Sequence, residues 1–138
     1  MDKTVKLIAY GGMSEIGGNK LLLEDRDTRI FLDFGKSFSA EGQYFNGWIL
    51  PRMVNGVGDY LEFDMLPRLE GLYAEEQIKQ TDIPYKPVEY QGVLISHAHV
   101  DHVGYLNLLD KSLPVYCGET SKTILSALYD SSGTNVDP

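Results

Sequence analysis

His97-Ala98-His99-Val100-Asp101-His102 gathers three imidazoles and a carboxylate into six consecutive residues, and these are the only histidines in the 138-residue chain. Imidazole nitrogen and carboxylate oxygen form a donor set that suits zinc and similar divalent ions, so the chemistry on offer is metal binding. The apolar run just before it, Gly92-Val93-Leu94-Ile95-Ser96, reads as a buried strand. In extended backbone alternate side chains share a face, so His97 and His99 point the same way and can grip one ion. At the corner where the chain turns into a helix, Asp101 and His102 can reach a second. A purely structural account makes Asp101 the cap of a helix over Val103–Asp110 and the histidines satisfied polar groups. That account explains Asp101 and leaves three histidines unexplained.

His-x-His-x-Asp-His after a hydrophobic strand resembles the signature of the metallo-β-lactamase superfamily. Arg29-Ile30-Phe31-Leu32-Asp33-Phe34-Gly35 is similar to that family's early strand ending in an aspartate. Gly11-Gly12-Met13-Ser14-Glu15-Ile16-Gly17-Gly18-Asn19 resembles the glycine-rich loop of the ribonuclease J type, in the β-CASP nuclease branch. The resemblance implies a site for two zinc ions, with manganese or magnesium as other candidates. His97 and His99 would hold one ion and Asp101 and His102 the other, with Asp101 and His102 as the catalytic positions. Asp33 would orient a histidine or the motif loop by hydrogen bonds without binding metal. Glu15 and Asn19 would stand on a substrate loop. The implied reaction is metal-assisted hydrolysis of a phosphodiester, with RNA as substrate. Two other readings stay open: a small-molecule hydrolase of the same superfamily acting on an ester, thioester or amide, and an inactive half-domain acting through a partner chain.

The family also uses histidines well downstream of this motif, and none follows His102 here. Its fold is a four-layer αββα sandwich of two similar halves, and the chain matches only the first. Residues 1–138 are therefore expected to be the N-terminal part of a metallo-β-lactamase domain, inactive alone, that either self-associates or pairs with its missing half. The net charge of −8, with twelve basic residues dispersed along the chain, gives this piece no evident surface for a polyanion. RNA is thus a partner expected of a longer protein. The N-terminus lacks the basic and apolar segments of a signal peptide, and no apolar run is long enough to span a membrane. With a single cysteine, Cys117, in an apolar segment, no internal disulfide can form, and a reducing cytoplasmic location is the default expectation.

Strands alternating with helices must position the motif, which points to an α/β fold with a mixed sheet and helices on one face. Thr4–Ala9 alternates as a strand, and Lys20–Glu24 with Arg29–Asp33 forms a hairpin around Asp25-Arg26-Asp27-Thr28. Val93–Ser96 and Leu113–Cys117 supply two further strands. The glycines of the early loop fit turn chemistry, since glycine adopts positive φ freely. Residues 36–91 are rich in Gly and Pro and read as an insertion-like region. Within it a helix is expected from Met65 to Lys79, with Met65, Leu69, Leu72 and Tyr73 on one stripe and Pro67 in the first turn. Tyr44, Phe45, Trp48 and Tyr60 are expected to anchor this region to the core rather than to line a substrate cleft. After the motif, Val103–Asp110 and Thr120–Asp130 are expected as helices, the second burying Ile124, Leu125, Leu128 and Tyr129.

Overall fold

A computed structural model of the chain describes residues 4–132. One five-stranded sheet runs in the order β1 (Lys6–Gly11), β2 (Lys20–Asp25), β3 (Thr28–Leu32), β4 (Gly92–Leu94) and β5 (Val115–Tyr116). The first three strands are antiparallel, and β3–β4 and β4–β5 are parallel. The sheet is therefore mixed and the fold α/β, as the strand pattern predicts. Each expected strand is present, with ends shifted by one or two residues. The hairpin turns through Arg26, at φ 56°, with Asp25 still paired to Thr28.

Register decides what each face carries. Ile8, Leu22, Phe31, Val93 and Val115 lie in one row across the sheet. Around this row packs a core that includes Phe34, Val57, Leu61, Leu72, Tyr73, Ile95, Tyr105 and Leu109. Residues 36–91 thus contribute much of the material that covers this face. Phe31 makes an edge contact with Phe34, the ring centroids 5.2 Å apart, and the start of the Asp33 loop is fixed by that packing.

Helices are short: α1 (Phe38–Tyr44), α2 (Gly58–Glu62), α3 (Glu75–Ile78) and α4 (Val100–Val103), with α5 (Glu119–Ser132) the exception. The expected helix from Met65 to Lys79 is corrected to α3 alone. Gly71 holds positive φ, 67°, inside the expected helix and Asp64 does so, 54°, just before it, and these breaks leave the segment between them irregular. Its apolar residues are still buried, Met65, Leu72 and Tyr73 in the core and Leu69 packed against it. The expected helix over Val103–Asp110 is replaced by α4, which starts three residues earlier, and a separate 3-10 turn at Leu106–Leu108. The helix expected over Thr120–Asp130 is present as α5, but Ile124, Leu128 and Tyr129 are exposed rather than buried. The core face of the sheet is already filled by the connection from β3 to β4 and by residues 103–113.

Of the four aromatics expected to anchor residues 36–91, three do. Tyr44 stacks on Phe63 with centroids 4.4 Å apart, and Phe45 and Tyr60 pack on the core. Trp48 instead stands fully exposed. It sits just after Gly47, in a segment whose Ile49 and Leu50 are exposed as well.

Candidate metal centre

β3 and β4 deliver the site. Both end at the same edge of the sheet, and their continuations, Asp33 and Ser96, meet there. The Asp33 N–H donates to the Leu94 carbonyl at 2.9 Å, which carries the parallel pairing one residue beyond β3. Asp33 then leaves the extended region, at φ 59°, a conformation that Asp tolerates better than most residues. Its carboxylate turns inward, and the residue is 6% exposed.

Three donors converge on that carboxylate. The Ser96 backbone N–H donates to Oδ1 at 2.7 Å, the Ser96 hydroxyl donates to Oδ2 at 2.7 Å, and His102 Nδ1 lies 2.7 Å from Oδ2. With its Nδ1–H given to Asp33, His102 keeps its Nε2 lone pair for a ligand. That nitrogen lies 3.4 Å from Asp101 Oδ2. Ser96 acts on His97 in the same manner. Its one hydroxyl proton goes to Asp33, so at 3.0 Å from His97 Nδ1 it can only accept, and His97 Nε2 is left free.

His97, Asp101 and His102 each offer a ligand atom, all within 4.8 Å of one another. Two imidazole nitrogens and one carboxylate oxygen in that space fit a divalent ion of zinc type. His99 lies beside this group, its ring edge-on to His97 with centroids 4.8 Å apart. It stands at the N-cap of α4, where its carbonyl accepts from the N–H groups of His102 and Val103. The structure therefore groups His97 with Asp101 and His102 more closely than with His99. Asp101 lies inside the first turn of α4 and not at its cap.

The glycine loop lies against this centre. Gly12, Gly17 and Gly18 all hold positive φ, as turn chemistry predicts. Gly17 has a second reason to lack a side chain: a Cβ there would overlap Asp101 Cβ. Glu15 ties the loop both to itself and to the start of α1. Its carboxylate accepts from the Gly12 N–H at 3.1 Å, the Ser37 hydroxyl at 2.6 Å and the Ser39 hydroxyl at 2.9 Å. Burial pushes the Glu15 carboxyl up, but these donors and the Lys20 charge outweigh it and hold it below the usual carboxylate range. Asn19 accepts from the Gly35 N–H through its carbonyl, and its side chain lies against Gly12.

Two residues of this neighbourhood escape a sequence reading. Ser96 immediately precedes the motif at the strand end, a place where a hydroxyl could have been noticed. Lys20 shares the core-facing parity of Leu22, and a lysine at such a position is the available signal.

No family model matches the chain. Over 132 residues, 94% of its length, it is 28% identical to ribonuclease J of Helicobacter pylori, and it spans only 15% of that protein. It is 26% identical over 130 residues to the transcription termination factor FttA of Methanosarcina mazei, spanning 16% of it. Among solved structures, a protein of unknown function from Enterococcus faecalis V583 matches 94% of the chain at a TM-score of 0.70 and 26% identity, with 29% of that protein covered. No helix among the described residues is long and apolar enough to cross a membrane. Taken with the mixed sheet and the motif at its edge, these likenesses agree with the chain's resemblance to the metallo-β-lactamase superfamily and to its ribonuclease J-like, β-CASP branch.

Proposed function

We propose that the chain is the metal-binding part of a hydrolase that cleaves phosphodiester bonds in RNA. The observation that carries this reading is the convergence of His97, Asp101 and His102 within 4.8 Å, with His102 oriented by a buried Asp33, in a relative of ribonuclease J. His97, Asp101 and His102, with His99 alongside, would hold up to two zinc ions, or manganese or magnesium ions. Bound there, such ions supply Lewis-acid chemistry, acidifying water and polarising a phosphoryl oxygen. The chain's own residues do the positioning. Asp33 and Ser96 fix the tautomers of His102 and His97, and Asp101 brings the negative charge that a dication needs. The loop from Gly11 to Asn19 forms one wall, its shape held by Glu15, with Asn19 at its base. A net charge of −8 repels phosphate, so substrate approach depends on the bound cations and on parts of a longer protein. The cytoplasm is the compartment that this reading implies.

On the face of the sheet opposite the core, Leu7, Leu94 and Tyr116 stand exposed, and that face belongs to the same reading. We assign it to contact with a second sheet, from the rest of a sandwich or from another copy.

Zinc titration of the 138-residue chain tests the proposal. Three ligand atoms fall short of the four that close a structural zinc site, so binding should be weak, and RNA hydrolysis by this chain alone negligible. His97→Ala and His102→Ala should each remove most of the binding. Equal zinc uptake by wild type and by the double variant would overturn the reading.

A further inference from the structure

Lys20 opens β2 and points to the core face, where it is 1% exposed. Fully buried lysines are rare, because desolvating an ammonium is costly without partners. Here the partners are two backbone carbonyls from different segments. Nζ donates to Gly18 O at 2.8 Å and to Gly35 O at 3.0 Å, and it lies 5.6 Å from the centroid of the Tyr105 ring. Burial pushes the ammonium down to about 8, against an opposing pull from Glu15, which leaves it mostly charged at neutral pH.

Both carbonyls belong to the segments that hold Asp101. The Gly18 N–H donates to the Asp101 carbonyl at 3.0 Å and also reaches Lys36 O at 3.1 Å. Gly17 packs on Asp101 Cβ, and a Cβ on Gly35 would overlap the Asp101 carbonyl. Next to it, the Phe34 N–H donates to the His102 carbonyl at 2.9 Å. Asp101 thus sits in a socket with two walls, the Gly17–Gly18 turn and the Phe34–Gly35 peptide. One ammonium bridges the two walls from behind. His97 and His102 do not depend on that bridge in the same way, since Ser96 and Asp33 hold their rings directly.

We infer that Lys20 is a positioning residue of the metal centre: its ammonium pins the Gly17–Gly18 turn to the Asp33–Gly35 loop and thereby sets Asp101 against His97 and His102. The inference rests on the metal reading above. Removing the ammonium leaves two buried carbonyls without their shared donor and frees the turn to shift, and Asp101 shifts with it. A ligand displaced by an ångström loses much of its contribution to a site that has few ligands to spare.

Cobalt titration of the 138-residue chain, followed by visible absorption, tests this on wild type, Lys20→Met, Lys20→Arg and Asp101→Ala. Lys20→Met should bind at least tenfold more weakly, and its cobalt-loaded spectrum should move toward that of Asp101→Ala. Lys20→Arg, which keeps charge and donors, should recover part of both. A lysine that served the fold alone would lower the melting temperature and leave the spectrum in place. Wild-type affinity and spectrum in Lys20→Met would overturn the inference. So would loss of the metal-free fold in Lys20→Met, in a Lys20→Gln variant and in Lys20→Arg alike. If His97→Ala and His102→Ala leave the wild-type spectrum unmoved, the metal reading fails and takes this inference with it.

Discussion

Asp33 shows how one side chain can serve the backbone and the site together. It ends β3 at φ 59°, and its carboxylate collects the Ser96 N–H, the Ser96 hydroxyl and the His102 ring. The motif was legible because its residue types are unusual and consecutive. Ser96 and Lys20 were not, because a serine and a lysine have many uses and only the tertiary contacts reveal which applies. Removing a group that orients a metal-binding histidine typically lowers metal affinity by roughly 10–100-fold. Asp33→Ala should therefore take up less zinc at a fixed free concentration, by about that factor, while Asp101→Ala should lose more. Asp33→Asn separates the two roles, since asparagine keeps the backbone tolerance for positive φ and gives up the charge. Elemental analysis after dialysis measures all three. Equal zinc in wild type and Asp33→Ala would remove Asp33 from the site.

Elements were legible where period and pairing agreed. The hairpin of β2 and β3 and the strand before the motif come from alternation and apolar runs that tertiary contacts then reinforce. The helix expected from Met65 to Lys79 failed although its apolar residues are buried, because a spacing that suits a helix stripe also suits an irregular segment pressed on a core. The positive φ values at Asp64 and Gly71 decide for the latter. Glycines carry the same lesson. Gly35 has no room for a methyl, its Cα lying against the Asp101 backbone, whereas Gly42 within α1 has nothing within 4 Å of where a Cβ would be. Gly35→Ala should destabilise the chain by about 1–3 kcal/mol or more through overpacking and should disturb the centre. Gly42→Ala should stabilise it by roughly 0.5–1 kcal/mol, by restricting the unfolded chain and favouring helix. Urea unfolding of the two variants would give shifts of opposite sign. Equal midpoints for Gly35→Ala and wild type would show that the close approach is not a constraint.

At the scale of the molecule the governing fact is that, among the described residues, one face of the sheet is covered and the other is not. The row behind the core face consists of Leu7, Leu23 and Ile30 and, beside it, Ala9, Leu21, Leu32, Leu94 and Tyr116. Leu7, Leu94 and Tyr116 are exposed, and the leucines and isoleucine of β2 and β3 are only half-buried. Sheets that expose a face to water usually make it polar, so an apolar second face marks a surface that packs on something. Among the described residues no strand pairs with the outer edges of β1 and β5, which leaves two edges that another chain can meet. Opposing both is the net charge of −8, which favours separation at low ionic strength and is screened as salt rises. Light scattering at micromolar concentration should accordingly show dimers or larger species whose share grows between low and physiological salt. A Leu7→Lys, Leu94→Lys double variant, charged at the middle and edge of the open face, should restore the monomer without unfolding the core on the opposite side. A wild-type chain that stays monomeric at every salt concentration and binds no hydrophobic dye would mean that the face is satisfied within the chain, and the assignment of a second sheet to it would fall.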